Sequence, residues 1–138
     1  MVEFFSETDF SLQNKVAYAS WISKIIQKEN FEEGQITYVF CSDAYLHKLN
    51  LEFLQHDTLT DVIGFDSSSG GAINGEIYIS VERVAENAKH FGVSFEGELK
   101  RVIVHGLLHF CGYKDKTERE RNVMRKKENE ATAIFFSN

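Results

Sequence analysis

The chain has 138 residues, 43% of them hydrophobic, and a formal net charge of −6. This length and composition predict a single domain over residues 1–138 with one sizeable core. No run of eighteen apolar residues occurs, which excludes a membrane-spanning helix, and the negative charge argues against a protein that coats nucleic acid by charge alone.

Apolar periodicity, caps and turn residues predict the elements in chain order. The first half is expected to hold a strand over 1–5, a helix from 8 or 9 to about 29, a strand over 35–41, a helix from 42 or 43 to about 54, a polar loop over 56–59 and a strand over 61–65. The second half is expected to hold a loop over 66–75, a strand over 75–80 and helices over about 80–90, 94–111 and 117–135.

The order of these elements, β-α-β-α-β-β-α-α-α, predicts an α+β fold. We expect a single mixed sheet of about four strands, with the last helices packed on one face. Ser80 and Ser94 are predicted helix caps, and Gly92 and Gly112 are predicted helix ends. In the strand over 35–41, the side chains of both alternating sets are largely apolar, so we expect both faces of this strand to be buried.

Two cysteines, Cys41 and Cys111, are too few for a disulfide framework. We expect reduced thiols with no disulfide partner, as in a cytoplasmic protein. The first ten residues, MVEFFSETDF, contain acids and no basic segment, so they do not predict a secretory signal.

The segment over 102–115, VIVHGLLHFCGYKD, has the spacing of a metal site. His105 and His109 lie one helical turn apart, so their imidazoles share a face. Gly112 can end the helix in a left-handed conformation, which lets Asp115 return toward the same point. Two imidazoles and one carboxylate are typical ligands of catalytic zinc, with a position left for water. We therefore predict one zinc ion per chain at the end of this late helix; the same ligands are compatible with nickel.

The spacing His-x3-His-x2-Gly-x2-Asp matches the layout of metzincin proteases, with one residue missing. Those enzymes place a glutamate, the general base, directly after the first histidine. This chain has Gly106 there, so peptide hydrolysis by that mechanism lacks its base. Cys111 is predicted to face away from His109 and not to act as a fourth ligand.

The run HGLLHFCGYKD resembles the signature of the YbeY family, His-Gly-x-Leu-His-Leu-x-Gly-Tyr-Asp-His. The matching residues of that signature are His105, Gly106, Leu108, His109, Gly112 and Tyr113. A second family block, Thr-Asp-Val-Leu-Ser-Phe, is similar to residues 60–65, and the family's Leu-Asn and Gly-Asp-Ile are similar to residues 49–50 and 75–77.

The resemblance implies a cytoplasmic bacterial endoribonuclease that depends on zinc and cuts single-stranded RNA. It implies a role in ribosomal RNA maturation and ribosome quality control, with ribosomal RNA and the small ribosomal subunit as partners. The chain departs from the family at Asp115, where the family has histidine, and at Leu54, where it has arginine. Residues 49–82 contain no lysine or arginine. His56 is therefore the one nearby residue that we consider as a substitute for the family's arginine.

Further site residues follow from type and position. Asp61 and Glu76 are candidates for a general base or a ligand-orienting group. The alternative for Asp61 is an ordinary turn or cap residue, and the favoured alternative for Glu76 is a solvated strand residue. The basic C-terminal segment gives candidate RNA contacts at Lys114, Arg119 and Arg125. Its interspersed acids, Glu118, Glu120 and Glu128, favour a solvated helix face.

Two other functions stay open at this point. One is a ribosome-assembly factor whose metal is structural, and the arginine missing at Leu54 favours it. The other is a metallohydrolase of a different substrate, which Gly106 argues against for peptides. The sequence predicts neither the exact RNA site nor the oligomeric state.

Overall fold

The computed structural model describes residues 1–55 and 60–136. Over these residues the strands are β1 (Val2–Ser6), β2 (Glu32–Cys41), β3 (Val62–Asp66) and β4 (Ala72–Ser80). The helices are α1 (Lys15–Lys28), α2 (Asp43–Leu49), α3 (Val81–Phe91), α4 (Phe95–Phe110) and α5 (Glu118–Phe136), and α2 continues in a π-helical turn over Asn50–Leu54. The predicted element order and α+β class are confirmed. The predicted loop over 56–59 and the proposed role of His56 lie outside the described residues.

The four strands form one mixed sheet in the order β1-β2-β4-β3. β1 and β4 both run parallel to β2, and β3 pairs antiparallel with β4. On one face, Tyr38 and Ile77 are opposite each other and fully buried beneath the helices. Val39 and Cys41 point to the other face and are also buried, so the expected burial on both sides of β2 is confirmed.

The predicted starts of α1, β2 and β4 were wrong because tertiary contacts outweigh local signals; β2 begins at Glu32, not at residue 35. Helix α1 begins at Lys15, not at residue 8 or 9. The chain before it stays irregular while Leu12 is buried and Phe10 packs edge-on against Phe40, with ring centroids 5.1 Å apart. Strand β4 begins at Ala72, three residues before its predicted start. The reason is that Glu32, at the start of β2, pairs with Ala72 beyond a bulge.

The predicted caps at the α3–α4 corner are confirmed. The Ser80 hydroxyl accepts from the Arg83 amide at 3.1 Å, and the Ser94 hydroxyl accepts from the Gly97 amide at 3.0 Å. Gly92 ends α3 with φ of 69°, a conformation that glycine adopts at little cost. These caps direct α4 across the sheet, where its apolar side is buried.

Helix α4 lies close against the sheet. The Tyr38 hydroxyl donates to the Ile103 carbonyl at 3.0 Å, and a Cβ at Gly106 would lie 3.0 Å from Cγ2 of Ile77. Helix α5 packs along the other side of α4. None of the helices in the described ranges is long and apolar enough to span a bilayer.

Candidate metal centre

His105 and His109 project from the last two turns of α4 with their Nε2 atoms 3.0 Å apart. Their side chains are 21% and 37% exposed, so both rings stand at the surface of the core. The one-turn spacing in the sequence therefore produces the shared face that we expected.

The loop after α4 brings a carboxylate to the two imidazoles. Gly112 has φ of 104° and reverses the chain, as its position predicts. Oδ2 of Asp115 then lies 3.2 Å from Nε2 of His105 and 3.3 Å from Nε2 of His109. Within the described part of the chain, these three residues form the group able to hold a metal ion.

The spacing of the three atoms fits one tetrahedral ion. Ligands about 2.0 to 2.1 Å from a tetrahedral zinc lie roughly 3.3 Å from one another. The three separations here, 3.0, 3.2 and 3.3 Å, are close to that edge length. The donor set is also right chemically, because imidazole nitrogen and carboxylate oxygen are the usual partners of a catalytic zinc and leave a fourth position open.

Each histidine is oriented from its other ring nitrogen. Nδ1 of His105 lies 2.7 Å from Oε2 of Glu128, and Nδ1 of His109 lies 2.9 Å from the carbonyl oxygen of Tyr113. Both partners accept a hydrogen bond, so each Nδ1 carries the proton and donates. The lone pair of each Nε2 is then left to face Asp115 and a metal.

The sequence interpretation missed Glu128. It was assigned to a solvated face, but its side chain is only 2% exposed. Besides His105, it binds Arg101, whose Nη1 lies 3.3 Å away. The available signal was spacing: Met124 and Ala131 are also buried, and Glu128 lies between them on the same stripe of α5.

The charges around His105 shift its protonation. Burial lowers the pKa of His105, but the hydrogen bond and the charge of Glu128 outweigh burial, with Asp115 and Asp61 adding to them. The net pKa is raised above the ordinary value. A hydrogen bond from Nδ1 to a carboxylate also makes the other ring nitrogen, Nε2, a better metal ligand.

The three candidate ligands border a cavity of about 380 Å³ that also contains Asp61. Burial raises the pKa of the Asp61 carboxyl, against the opposing attraction of His105 and Arg101. Asn87 Nδ2 lies 3.5 Å from its Oδ2. The backbone carbonyl of Asp61 accepts a hydrogen bond from the Ser80 amide at 3.0 Å.

Gly106 borders the same cavity from a buried position. Its missing Cβ would meet Ile77 at 3.0 Å and Val62 at 3.5 Å. A glutamate at this position would enter the packed contact between α4 and β4. Gly106 therefore allows α4 to lie close against β4.

The remaining candidates lie in different places. Glu76 is exposed on β4, as expected, with the Tyr78 hydroxyl 3.4 Å away. Lys114 and Arg119 are exposed on the loop and the first turn of α5. Arg125 borders a second cavity of about 330 Å³ beside His105, together with Arg121, which the sequence interpretation did not single out.

Leu54 and the two cysteines are the remaining positions that the sequence analysis considered. Leu54 is 41% exposed in the π-helical turn after α2. Cys41 and Cys111 are free, and burial raises the pKa of each thiol to about 12. A thiol of that pKa stays protonated near neutral pH, which makes Cys111 a poor metal ligand.

Comparisons with known proteins match nearly the whole chain. The family model described as endoribonuclease YbeY matches residues 4–135. Proteins named endoribonuclease YbeY from Flavobacterium johnsoniae and Christiangramia forsetii are each 56% identical; they cover 98% and 97% of this chain, and 97% and 94% of their own. The solution structure of a Thermotoga maritima protein aligns with a TM-score of 0.66 at 26% identity, over 100% of this chain and 93% of that one.

Proposed function

Because this chain belongs to the YbeY family of endoribonucleases, we propose that it cleaves single-stranded ribosomal RNA in a metal-dependent reaction. Residues 1–138 would act as one metal-binding domain in the cytoplasm, in ribosomal RNA maturation and ribosome quality control. The small ribosomal subunit would be its partner. The supporting observation is the convergence of His105, His109 and Asp115 beside the partly buried Asp61 in one cavity.

The three converging residues would hold the ion, and zinc fits their geometry and donor types. When bound, the ion supplies Lewis-acid polarisation of a phosphodiester oxygen and makes water more acidic. Glu128 and the Tyr113 carbonyl keep the two rings turned so that Nε2 faces the cavity. This preorganisation means that little reorganisation is needed when the substrate arrives.

Asp61 is the residue we assign to proton transfer. Its carboxylate lies in the cavity, and burial raises its pKa toward the range in which a base both holds and releases a proton. It would accept the proton of the attacking oxygen. Arg125, on the neighbouring cavity, and Lys114 and Arg119, on the exposed loop and helix start, would contact RNA phosphates.

Peptide hydrolysis is the less favoured reaction. The position of a zincin base is Gly106, which is packed against Ile77. An assembly factor without catalysis remains the alternative that Leu54 favours, since the arginine that the family has at this position is missing. Measuring RNA cleavage distinguishes the endoribonuclease from both of these alternatives.

The decisive experiment measures bound metal and RNA cleavage on the same protein. Wild type should carry about one zinc per chain and cut single-stranded ribosomal RNA fragments but not a duplex of the same sequence. His109→Ala and Asp115→Ala should lose metal and cleavage together, because each removes one of three ligands. His47→Ala, a histidine on α2, is the matched control and should retain both.

Three results would count against the proposal. Wild type without metal would remove its basis. RNA binding without cleavage by wild type would favour the assembly factor. Cleavage that survives both ligand substitutions would place the reaction elsewhere.

A further inference from the structure

Two neighbouring cavities lie along α4 and α5 beside the candidate metal centre. The cavity beside His105 and Asp115 shares Arg101 and Arg125 with a further cavity of about 430 Å³. That further cavity, which we call the flanking groove, is lined by Phe91, Val93, Gly97, Arg101, Arg125 and Thr132, among others. Because the two cavities have these walls in common, a chain lying in one can continue into the other.

Regular spacing on α4 gives the groove its direction. Gly97, Arg101 and His105 follow one another at four-residue intervals, so they form one stripe. At 1.5 Å per residue, the stripe extends roughly 12 Å from His105 to Gly97. The flanking groove therefore lies within a few nucleotides of the bond that the metal centre would cut.

The acids in the groove wall are already paired. Glu98 and Glu128 are each 2% exposed and both bind the guanidinium of Arg101, while Glu128 also binds His105. Arg125 is different, since its side chain is 57% exposed and its Nη1 lies 3.8 Å from Glu128. Its guanidinium is therefore the accessible charge for an anion in this part of the groove.

The far end of the groove is apolar and open. Phe91 is 55% exposed and Val93 is 50% exposed, at the end of α3 and in the turn that follows. The Arg101 guanidinium lies 6.0 Å from the centre of the Phe91 ring, within cation–π distance. An exposed ring beside an accessible arginine offers base stacking and a phosphate contact, the two contacts by which proteins bind single-stranded nucleic acid without reading its sequence.

We propose that the flanking groove binds one nucleotide of the single-stranded RNA beside the scissile bond, with its base against Phe91 and Val93 and its phosphate on Arg125. This rests on the proposed function, because the groove is assigned RNA through its continuity with the metal centre. The site also supplies a phosphate contact in a chain that has Leu54 where the family has arginine. A duplex cannot use it, because its bases are already stacked and paired.

The test measures the affinity of a fluorescein-labelled single-stranded RNA by stopped-flow anisotropy, recorded before cleavage. Phe91→Ala should weaken binding about fivefold or more, the loss expected for one stacked base. Phe5→Ala is the matched control, since Phe5 is a similarly exposed phenylalanine, 51%, on the distant edge strand β1. Arg125→Gln should lower the slope of log K against log salt by about 0.7, the loss of one phosphate contact on a single strand.

A second arm identifies the base itself. RNAs that carry one abasic nucleotide at successive positions should lose affinity for wild type at one position beside the cleaved bond. At that position, the abasic change and Phe91→Ala together should cost no more than either alone, because both remove the same stacking contact.

The outcomes separate the groove from the nuclease. If wild type cuts RNA but Phe91→Ala binds like Phe5→Ala, the groove proposal is overturned and the nuclease stands; this is the result expected if the groove takes a protein segment. Additive abasic and Phe91 effects would overturn it as well. If wild type binds RNA through Phe91 without cutting it, the nuclease fails and the groove stands.

Discussion

Glu128 and His105 are bonded across two helices: Oε2 of the glutamate lies 2.7 Å from Nδ1 of the imidazole, although 23 residues separate them. The carboxylate is 2% exposed and also binds Arg101, so its charge is compensated inside the protein. The contact fixes which nitrogen of His105 carries the proton. Glu128 contacts no substrate in this arrangement, but it controls the direction in which the Nε2 lone pair of His105 points.

The first prediction tests that control. Glu128→Gln keeps the size of the side chain but removes the charge, and we expect zinc affinity to fall roughly 10- to 100-fold. Competition with a chromophoric chelator measures it, and the spectrum of bound Co²⁺ reports whether the coordination geometry changes. Glu130→Gln, two residues along on the exposed side of α5, is the control.

An unchanged zinc affinity and an unchanged Co²⁺ spectrum in Glu128→Gln would contradict this positioning role. A drop in thermal stability alone would then mean that Glu128 serves only the packing of α5 against α4.

The second prediction concerns the ligand type at Asp115. Asp115→Ala should weaken zinc binding at least tenfold. The loss of a residue that only orients a ligand already costs roughly tenfold or more, and Asp115 is itself a candidate ligand. Asp115→His should restore binding, because imidazole is also a zinc ligand. It removes one negative charge from the site, so the acid limb of the pH–rate profile should move to lower pH.

The pH dependence of cleavage by wild type and Asp115→His measures this shift. A limb that moves to higher pH, or zinc binding that Asp115→His does not restore, would show that Asp115 is not a ligand.

The third prediction uses the partly buried carboxylate of Asp61. Burial raises its pKa in the folded protein, so the folded state holds this proton more tightly than the unfolded state does. Its contribution to the free energy of unfolding is fully present below the ordinary pKa of about 3.9 and is lost as pH rises through the raised value. At pH 7 the ionised carboxylate of Asp61 therefore lowers the free energy of unfolding.

Removing that charge separates stability from activity. In the EDTA-treated protein, Asp61→Asn should leave stability at pH 7 unchanged or raised, and should flatten the fall of stability with pH above about 4. RNA cleavage should fall roughly 100-fold, as for the loss of a general base. Urea unfolding at several pH values measures the first effect. Full cleavage by Asp61→Asn would remove this residue from proton transfer.

The fourth prediction concerns the loop that carries Asp115. Tyr113 accepts from His109 through its carbonyl, while its hydroxyl donates to Glu29 at 2.6 Å. Lys127 holds the same carboxylate at 3.2 Å. We expect Tyr113→Phe to cost about 1 kcal/mol of stability and to lower zinc affinity, because the loop loses its anchor on Glu29, the residue that follows α1.

A double-mutant cycle isolates this anchor. Tyr113→Phe, Glu29→Gln and the pair should show a coupling free energy of about 1 kcal/mol in urea unfolding. Tyr45→Phe, a partly exposed tyrosine on α2, is the control. Strictly additive effects would mean that the hydroxyl contact does not hold the loop.

Much of the fold could be predicted because its signals are local. The caps at Ser80 and Ser94 and the turns at Gly92 and Gly112 depend on a few neighbouring backbone atoms, and all four are present. The start of α1 could not be predicted in this way. Phe10 enters the core before the helix begins, and that contact is made with strands and helices far along the chain.

By itself, the sequence determined the family and the meeting of three side chains. His105, His109 and Asp115 lie within eleven residues, so one helical turn and one glycine reversal suffice to place them. Only the tertiary structure decided what surrounds them. Glu128 looks like a solvated acid until α5 packs on α4, and Phe91 faces the groove because the α3–α4 corner places it there. Short-range geometry follows from backbone stereochemistry, whereas burial and charge compensation depend on which distant segments meet.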